Sequence, residues 1–354
     1  MQRRKFLQTL GVSTFGTVFG NKLAGFLPNG LNVRYIDGSW FEFQHHNIAE
    51  GRYWNPALEQ FSAEQWESKI REIALSGIRY LVLLDVAISG KSFYPSELLP
   101  QHRMGCDDPL ETVLDAADRY GIYFFVGNDF FGNWFNSKFL MTDRQVHLLR
   151  VKAMNEIAEK YGHHKSFYGW YYPNETGIDG CFDEIFIHYV NSLSTEVDVI
   201  TPGAKKLIAP YGTRNVRVGD RYIRQIEQLN VDFIAYQDEV GVNKSGTEET
   251  GKYFEQLYHM HSKAGRAKLW ADVEVFCFEG EVYKSALRPA PYERVFRQLE
   301  AVSPFVDKIL IYQYLGMINK LGTDAFAGHP DSVQLYEQLT AGSWLRGKRE
   351  HPLP

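Results

Sequence analysis

Short runs of β-branched and aromatic residues recur along the chain, separated by longer stretches with the three-to-four-residue apolar spacing of amphipathic helices. The runs fall at Trp40–Gln44, Tyr80–Asp85, Ile122–Val126, Phe167–Tyr172, Lys206–Pro210, Asp232–Gln237, Leu269–Val275 and Lys308–Tyr314, which predicts eight strands. Helix boundaries between them are marked. Ser62 and Gln65 form a capping box before Trp66, Gly77 closes that helix, Asp108-Pro109 opens the next and Gly121 ends it. Strand starts recur on average about every 38 residues, enough for a strand, a helix and generous strand-to-helix loops. No Pro/Gly/Ser linker interrupts the alternation. The pattern predicts one α/β domain, a (β/α)8 TIM barrel over 28–354, in preference to two domains or a doubly wound open sheet.

The first 27 residues do not fit this pattern. A basic tip, Arg3-Arg4-Lys5-Phe6-Leu7, precedes a weakly apolar stretch, Leu10 to Gly20, with no acidic residue. That is the layout of a targeting segment, and the paired arginines resemble a twin-arginine export signal. The expectation is an exported, periplasmic or extracellular protein, with an uncleaved signal anchor as the only contact with the membrane. The small-residue site around Ala24-Gly25 is poor, so the cleavage point stays open.

Composition narrows the partners. Lysine and arginine number 38 against 43 acidic residues, a net charge of −5, and loss of 1–27 would leave 34 against 43, or −9. With no basic stripe, the chain is not expected to bind nucleic acid or an anionic membrane surface. Three cysteines, Cys106, Cys181 and Cys277, are too few and too scattered for a disulfide framework, and read as free thiols. Aromatic residues number 52, more than core packing alone calls for. There is no G-x-G-x-x-G after a strand, no Walker A sequence and no H-E-x-x-H, so no nucleotide or zinc-protease site is expected.

Chemistry in such a barrel sits at the C-terminal ends of the strands. Those ends carry Glu42 to Asn47, Asp85, Asn128-Asp129, Asn174-Glu175, Gln237-Asp238-Glu239, Asp272-Val-Glu274 and Gln313. Carboxylates, amides and aromatics dominate, and no serine or cysteine nucleophile accompanies a histidine. In strand 7 the alternation turns Trp270, Asp272 and Glu274 inward, with Glu274 at the mouth and Asp272 a layer deeper. Pro173 ends strand 4 just before Asn174-Glu175, which projects Glu175 into the cleft. Strands 4 and 7 lie across the barrel from each other. Two opposed carboxyl groups are what glycosidic cleavage needs, one protonated to release the leaving oxygen and one ionised to attack the anomeric carbon.

These ends resemble a clan of retaining glycoside hydrolases, clan A, in which Asn-Glu ends strand 4 with Glu as acid/base and a strand 7 Glu is the nucleophile. The runs Tyr161 to Glu175, Val231 to Asp238, Leu269 to Glu274 and Val306 to Tyr312 resemble more closely bacterial glycoside-hydrolase-like barrels of the domain-of-unknown-function family numbered 4434. The resemblance spans about residues 36–340, implies the barrel, and carries over Glu175 and Glu274 as catalytic residues.

The expected activity is therefore a retaining glycosidase acting on an oligosaccharide or glycoside, a mechanism that requires no cofactor. His46, Asn128, Asp129, Asn174, Gln237, Asp272 and Gln313 are candidates to bind sugar hydroxyls, His46 with the alternative task of orienting Glu175. Asp238 is either a substrate ligand or a rival nucleophile. Trp54, Trp134, Tyr236, Tyr312 and Tyr314 are candidates to stack on a pyranose, against the alternative of core packing. The Gly241–Gly251 segment reads as a mobile loop able to close over a ligand. Two other readings stay open: a metal-dependent sugar isomerase or epimerase with His46, Asp129, Glu175 and Glu274 as ligands, and a barrel that binds carbohydrate without turning it over.

Overall fold

The computed structural model describes residues 33–129 and 136–345, so residues 1–27, read above as a targeting segment, and Trp134 lie outside it. Eight parallel strands close into a barrel. They are β1 Gly38–Phe41, β2 Tyr80–Leu83, β3 Tyr123–Gly127, β4 Phe167–Tyr171, β5 Lys205–Ile208, β6 Phe233–Gln237, β7 Lys268–Glu274 and β8 Lys308–Tyr312. Each pairs with its neighbours in chain order, and β8 returns to β1. Every run read from the sequence is a strand, displaced by three residues at most. Between them run α1 Ala63–Leu75, α2 Pro109–Tyr120, α3 Arg144–Tyr161, α4 Glu184–Ile200, α5 Asp220–Gln228, α6 Thr247–Ala264 and α7 Tyr292–Val302, and α8 Ser332–Ala341 follows β8.

The helices start and stop where the sequence says. Ser62 accepts a hydrogen bond from the Gln65 N–H and Gln65 returns one to the Ser62 N–H, the capping box of α1. Asp108 caps α2 with Pro109 in its first turn, and Gly121 ends it in the left-handed conformation that glycine adopts without strain. One boundary differs from expectation. The segment after β6 is a loop only to Gly246; Thr247 begins α6, because the Glu249 carboxylate reaches back to the Gly246 N–H and satisfies an orphan donor.

Two apolar layers follow from strand alternation. Trp40, Val82, Leu84, Phe125, Tyr171, Leu207, Ala209, Ala235, Trp270 and Leu310 fill the barrel interior. The alternate residues, such as Leu269, Ala271, Val273 and Val275 of β7, pack under the helices. Gly169 of β4 permits a tight β4–β5 approach, since a Cβ there would lie 2.1 Å from the Lys205 carbonyl oxygen. Among the described residues the cysteines are free thiols, and no helix is long and apolar enough to cross a membrane.

Candidate active site

A cleft of about 390 Å³ opens at the C-terminal ends of the strands. Glu175 and Glu274 both line it. Glu175 stands four residues past Tyr171, whose ring fills the barrel interior and whose hydroxyl donates to Glu175 Oε1 at 2.8 Å. Gln237, the last inward residue of β6, donates from Nε2 to the other oxygen at 2.7 Å. Both donors are neutral. Burial therefore outweighs the hydrogen bonds and raises the Glu175 pKa to about 7, so near neutrality the group holds a proton about half the time.

Glu274 ends β7, is almost fully buried, and is clamped from two sides. The Val242 N–H donates to its Oε2 at 2.9 Å. That contact requires the neighbouring residue to be glycine, because a Cβ on Gly241 would sit 2.9 Å from Glu274 Oε2. Behind the strand, Arg294 and Gln298 of α7 donate to the Glu274 carbonyl oxygen at 2.9 and 3.0 Å. Gln298 also donates to Asp238 Oδ2 at 2.6 Å, and Asp238 Oδ1 accepts the Glu274 N–H at 3.1 Å. Burial, and then the like charge of Asp238, push the Glu274 pKa well above the ordinary carboxyl range.

Asp272 lies on the floor of the cleft, its pKa raised well above normal by burial. Asn174 lines the wall. Its Nδ2 donates to Asp129 and, at 3.0 Å, to the Tyr189 hydroxyl, while its Oδ1 is buried with no hydrogen-bond partner in the protein. His46 lines the cleft, stacked on His45 with ring centroids 4.7 Å apart. Burial lowers both imidazole pKa values, that of His45 to about 4, so both rings are neutral. Tyr312 also lines the cleft and pairs its hydroxyl with His45 Nε2 at 3.1 Å. The Tyr312–Gln313 peptide is cis.

Five predicted ligands do not reach the cleft. Tyr236 faces outward from β6, under the helices, and bonds the Tyr222 hydroxyl and His261. Asp238, next but one along the strand, points the same way and is held by Gln298, which removes it as a rival nucleophile facing the cleft. Asn128 faces outward from β3 and meets Met154 Sδ of α3 at 3.6 Å. Asp129 is fully buried against the Arg150 guanidinium, whose Nε donates at 2.8 Å. Gln313 turns to Glu42, donating at 2.6 Å. The proposed metal set of His46, Asp129, Glu175 and Glu274 is thereby broken, since Asp129 serves Arg150. Of the stacking candidates, Trp54 and Tyr314 are core residues, their polar atoms bonded to Glu42 and Glu72.

The cleft also contains residues that were given no role from the sequence. Glu239 and Glu50 line it, with Tyr211, Lys244, Phe276 and Tyr283. Glu239 takes a left-handed backbone, φ 55°, and leaves Oε2 buried and without a partner. Glu50 accepts from Asn47 Nδ2 at 2.6 Å, and burial raises its pKa to about 7. Tyr211 was readable as the residue just past the predicted run Lys206–Pro210, and Glu239 closes the strand-end sequence Gln237-Asp238-Glu239. Tyr283 was not, because it arrives on a hairpin excursion after β7, Phe276–Phe278 with Leu287–Pro289, whose direction local sequence does not set.

Comparison with known proteins fits this geometry. Residues 36–322 match the family described as a domain of unknown function, DUF4434. No curated protein matches by sequence. Among solved structures, a candidate α-L-fucosidase from Bacteroides thetaiotaomicron VPI-5482 superposes with a TM-score of 0.70 at 16% identity, covering 94% of this chain and 100% of that one. An endo-1,4-β-D-mannanase from Thermotoga petrophila RKU-1 gives 0.55 at 13% identity over 87% and 99%. An endo-1,4-β-mannanase from Rhizomucor miehei gives 0.53 at 9% identity over 87% and 94%. At these identities the likeness establishes a shared fold, the (β/α)8 barrel of glycoside hydrolases.

Proposed function

The chain belongs to the DUF4434 family, and from that footing we propose that it is an exported glycoside hydrolase that cleaves its substrate with retention of configuration. The observation that carries the reading is the pair Glu175, four residues past β4, and Glu274, the last residue of β7, both lining one cleft. Glu175 is the acid/base. Its burial, against the lowering effect of its two neutral donors, keeps it protonated up to about pH 7, which is the state that gives a proton to the glycosidic oxygen. Glu274 is the nucleophile and attacks the anomeric carbon when ionised. As the leaving group departs with the Glu175 proton, Glu175 becomes the base that draws a proton from water. That water then breaks the glycosyl ester on Glu274 and returns the proton to Glu175.

The pKa directions set the pH profile. On the acidic limb kcat/KM is limited by ionisation of Glu274, raised to about 8 by burial and by Asp238, and on the basic limb by loss of the Glu175 proton near pH 7, so the active form is a minority species that peaks between the two values. Asn174, on the cleft wall, would bind a sugar hydroxyl in this reading. Tyr211, Tyr283 and Tyr312 offer ring faces for a pyranose. Residues 1–27 direct export in this reading.

The test is a screen of chromogenic glycosides and oligosaccharides with wild type beside Glu175→Ala and Glu274→Gly. Loss of the acid should cost about 10²–10⁴-fold on unactivated leaving groups and much less on activated aryl glycosides. Loss of the nucleophile should abolish turnover, with partial recovery in azide. A glycan cleaved equally fast by all three proteins would overturn the assignment. Binding without cleavage by any of them would favour the non-catalytic reading.

A further inference from the structure

At the opposite, N-terminal end of the barrel, we propose a binding site for a transition-metal ion of the zinc class, with Glu111, His163 and His164 as its ligands. One donor atom from each residue lies within 4.8 Å of the others, and among the described residues this is the group of histidines and carboxylates that converges in this way. Glu111 stands in the first turn of α2, fixed by the Asp108 cap. His163 and His164 follow Gly162, which ends α3, and lead into β4. The motif is part of the Tyr161 to Glu175 run but has no place in the cleft chemistry.

The surroundings of His164 are those of a metal ligand. The ring is almost fully buried, and Nδ1 lies 3.0 Å from Asp118 Oδ2. Asp118 is itself held by the Ser166 N–H on its other oxygen. The Asp118 carboxylate on Nδ1 orients the ring, a partner that metal-ligating histidines almost always have, and the ion would take the place of the Nε2 proton shared with Glu111. Nε2 stands 3.0 Å from Glu111 Oε2. A tetrahedral site with bonds of 2.0–2.1 Å needs about 3.4 Å between ligand atoms, so the gap widens only slightly to admit an ion. His163 is exposed, its ring centroid 4.2 Å from that of His164, and a rotation about its side chain closes the third side. Water completes the fourth. Two imidazoles with one carboxylate suit Zn2+ and its neighbours and do not suit Mg2+ or Ca2+, which take oxygen. The ion would pin α2 to the α3–β4 connection.

The experiment uses the full chain without a histidine tag, stripped with a chelator, in thermal unfolding and titration calorimetry with zinc chloride. The expected result is one ion per chain and a rise in Tm that the chelator reverses. His163→Ala, which alters an exposed ring and leaves the fold intact, should lose the Tm rise and weaken binding at least tenfold. Asp118→Asn should weaken it by about 10–100-fold. No zinc-dependent shift in wild type would overturn the proposal. So would an undiminished shift in His163→Ala, or an equal shift with magnesium chloride.

Discussion

The two ends of the barrel use the same side chains in opposite ways. At the N-terminal end, carboxylates are paired as they enter the strands. Asp37 holds Lys308 at 2.9 Å before β1, Asp232 holds Lys205 at 3.1 Å before β6, and each also accepts a backbone N–H. At the C-terminal mouth, Glu42, Glu50, Asp85, Glu175, Asp238, Asp272 and Glu274 crowd together, with Arg294 behind Asp238 and Glu274 as an opposing charge. Burial is the leading cause that raises the pKa of every one of them. The N-terminal end spends its carboxylates on connecting elements. The mouth stores protons, which is what a site for proton transfer needs and what a merely stable fold would avoid.

One pair at the mouth follows the rule of the other end, and it offers the largest effect. Asp129 and Arg150 are both fully buried, and the guanidinium also donates to the Leu140 carbonyl and lies over the Tyr189 ring. Arg150→Met keeps the bulk but strands the Asp129 carboxylate in the interior. It should cost about 3–5 kcal/mol in denaturant unfolding. Adding Asp129→Asn should recover part of that loss, because it removes the buried charge. If Arg150→Met is nearly neutral, the pair does not hold the fold together and the comparison loses its exception.

A smaller effect probes the shared protons directly. Asp238 does not line the cleft, yet its charge raises the Glu274 pKa. Asp238→Asn removes the like charge, so Glu274 ionises at lower pH and the acidic limb of kcat/KM should move down by roughly one pH unit, about 1.4 kcal/mol. The basic limb, set by Glu175, should stay in place. An unmoved acidic limb would mean that the two carboxyls titrate independently.

The difference between the two ends also marks what the sequence made legible. Alternation within a strand identified Trp270, Asp272 and Glu274 as inward, and the structure agrees because the barrel interior tolerates only that register. The same alternation in β6 turns Gln237 in and Tyr236 and Asp238 out, and in β3 it turns Asn128 toward α3. Those placements were readable by the rule used on β7. Asp129 was not, because Arg150 lies 21 residues away on the next helix and nothing local announces the pair. Glu50 and Tyr283 come from loops whose course is set by contacts such as Asn47 Nδ2 to the Tyr283 carbonyl, 236 residues apart. Strand ends can be read locally, whereas loop-borne walls depend on packing between distant segments.

The smallest effect is the most discriminating, because the same substitution should change sign between the two ends. Asp232→Asn weakens a half-exposed pair with Lys205 and should cost up to about 1 kcal/mol. Asp85 is fully buried, neither of its oxygens has a hydrogen-bond partner in the protein, and its pKa is raised well above normal by burial, then by Glu42 and Asp129. A folded-state pKa above the unfolded one means that the folded protein holds the proton more tightly. The stability this provides is complete below the unfolded value of 3.8 and is lost as pH rises toward the folded value. Asparagine has no proton to lose, so Asp85→Asn escapes that loss, less the cost of burying an amide N–H without a partner. The net expected at pH 7 is a gain of about 1 kcal/mol, which should grow between pH 5 and pH 9 in Tm measurements. A loss at Asp85 equal to that at Asp232 would show an ionised, paired carboxylate at the mouth, and the contrast between the two ends would fail.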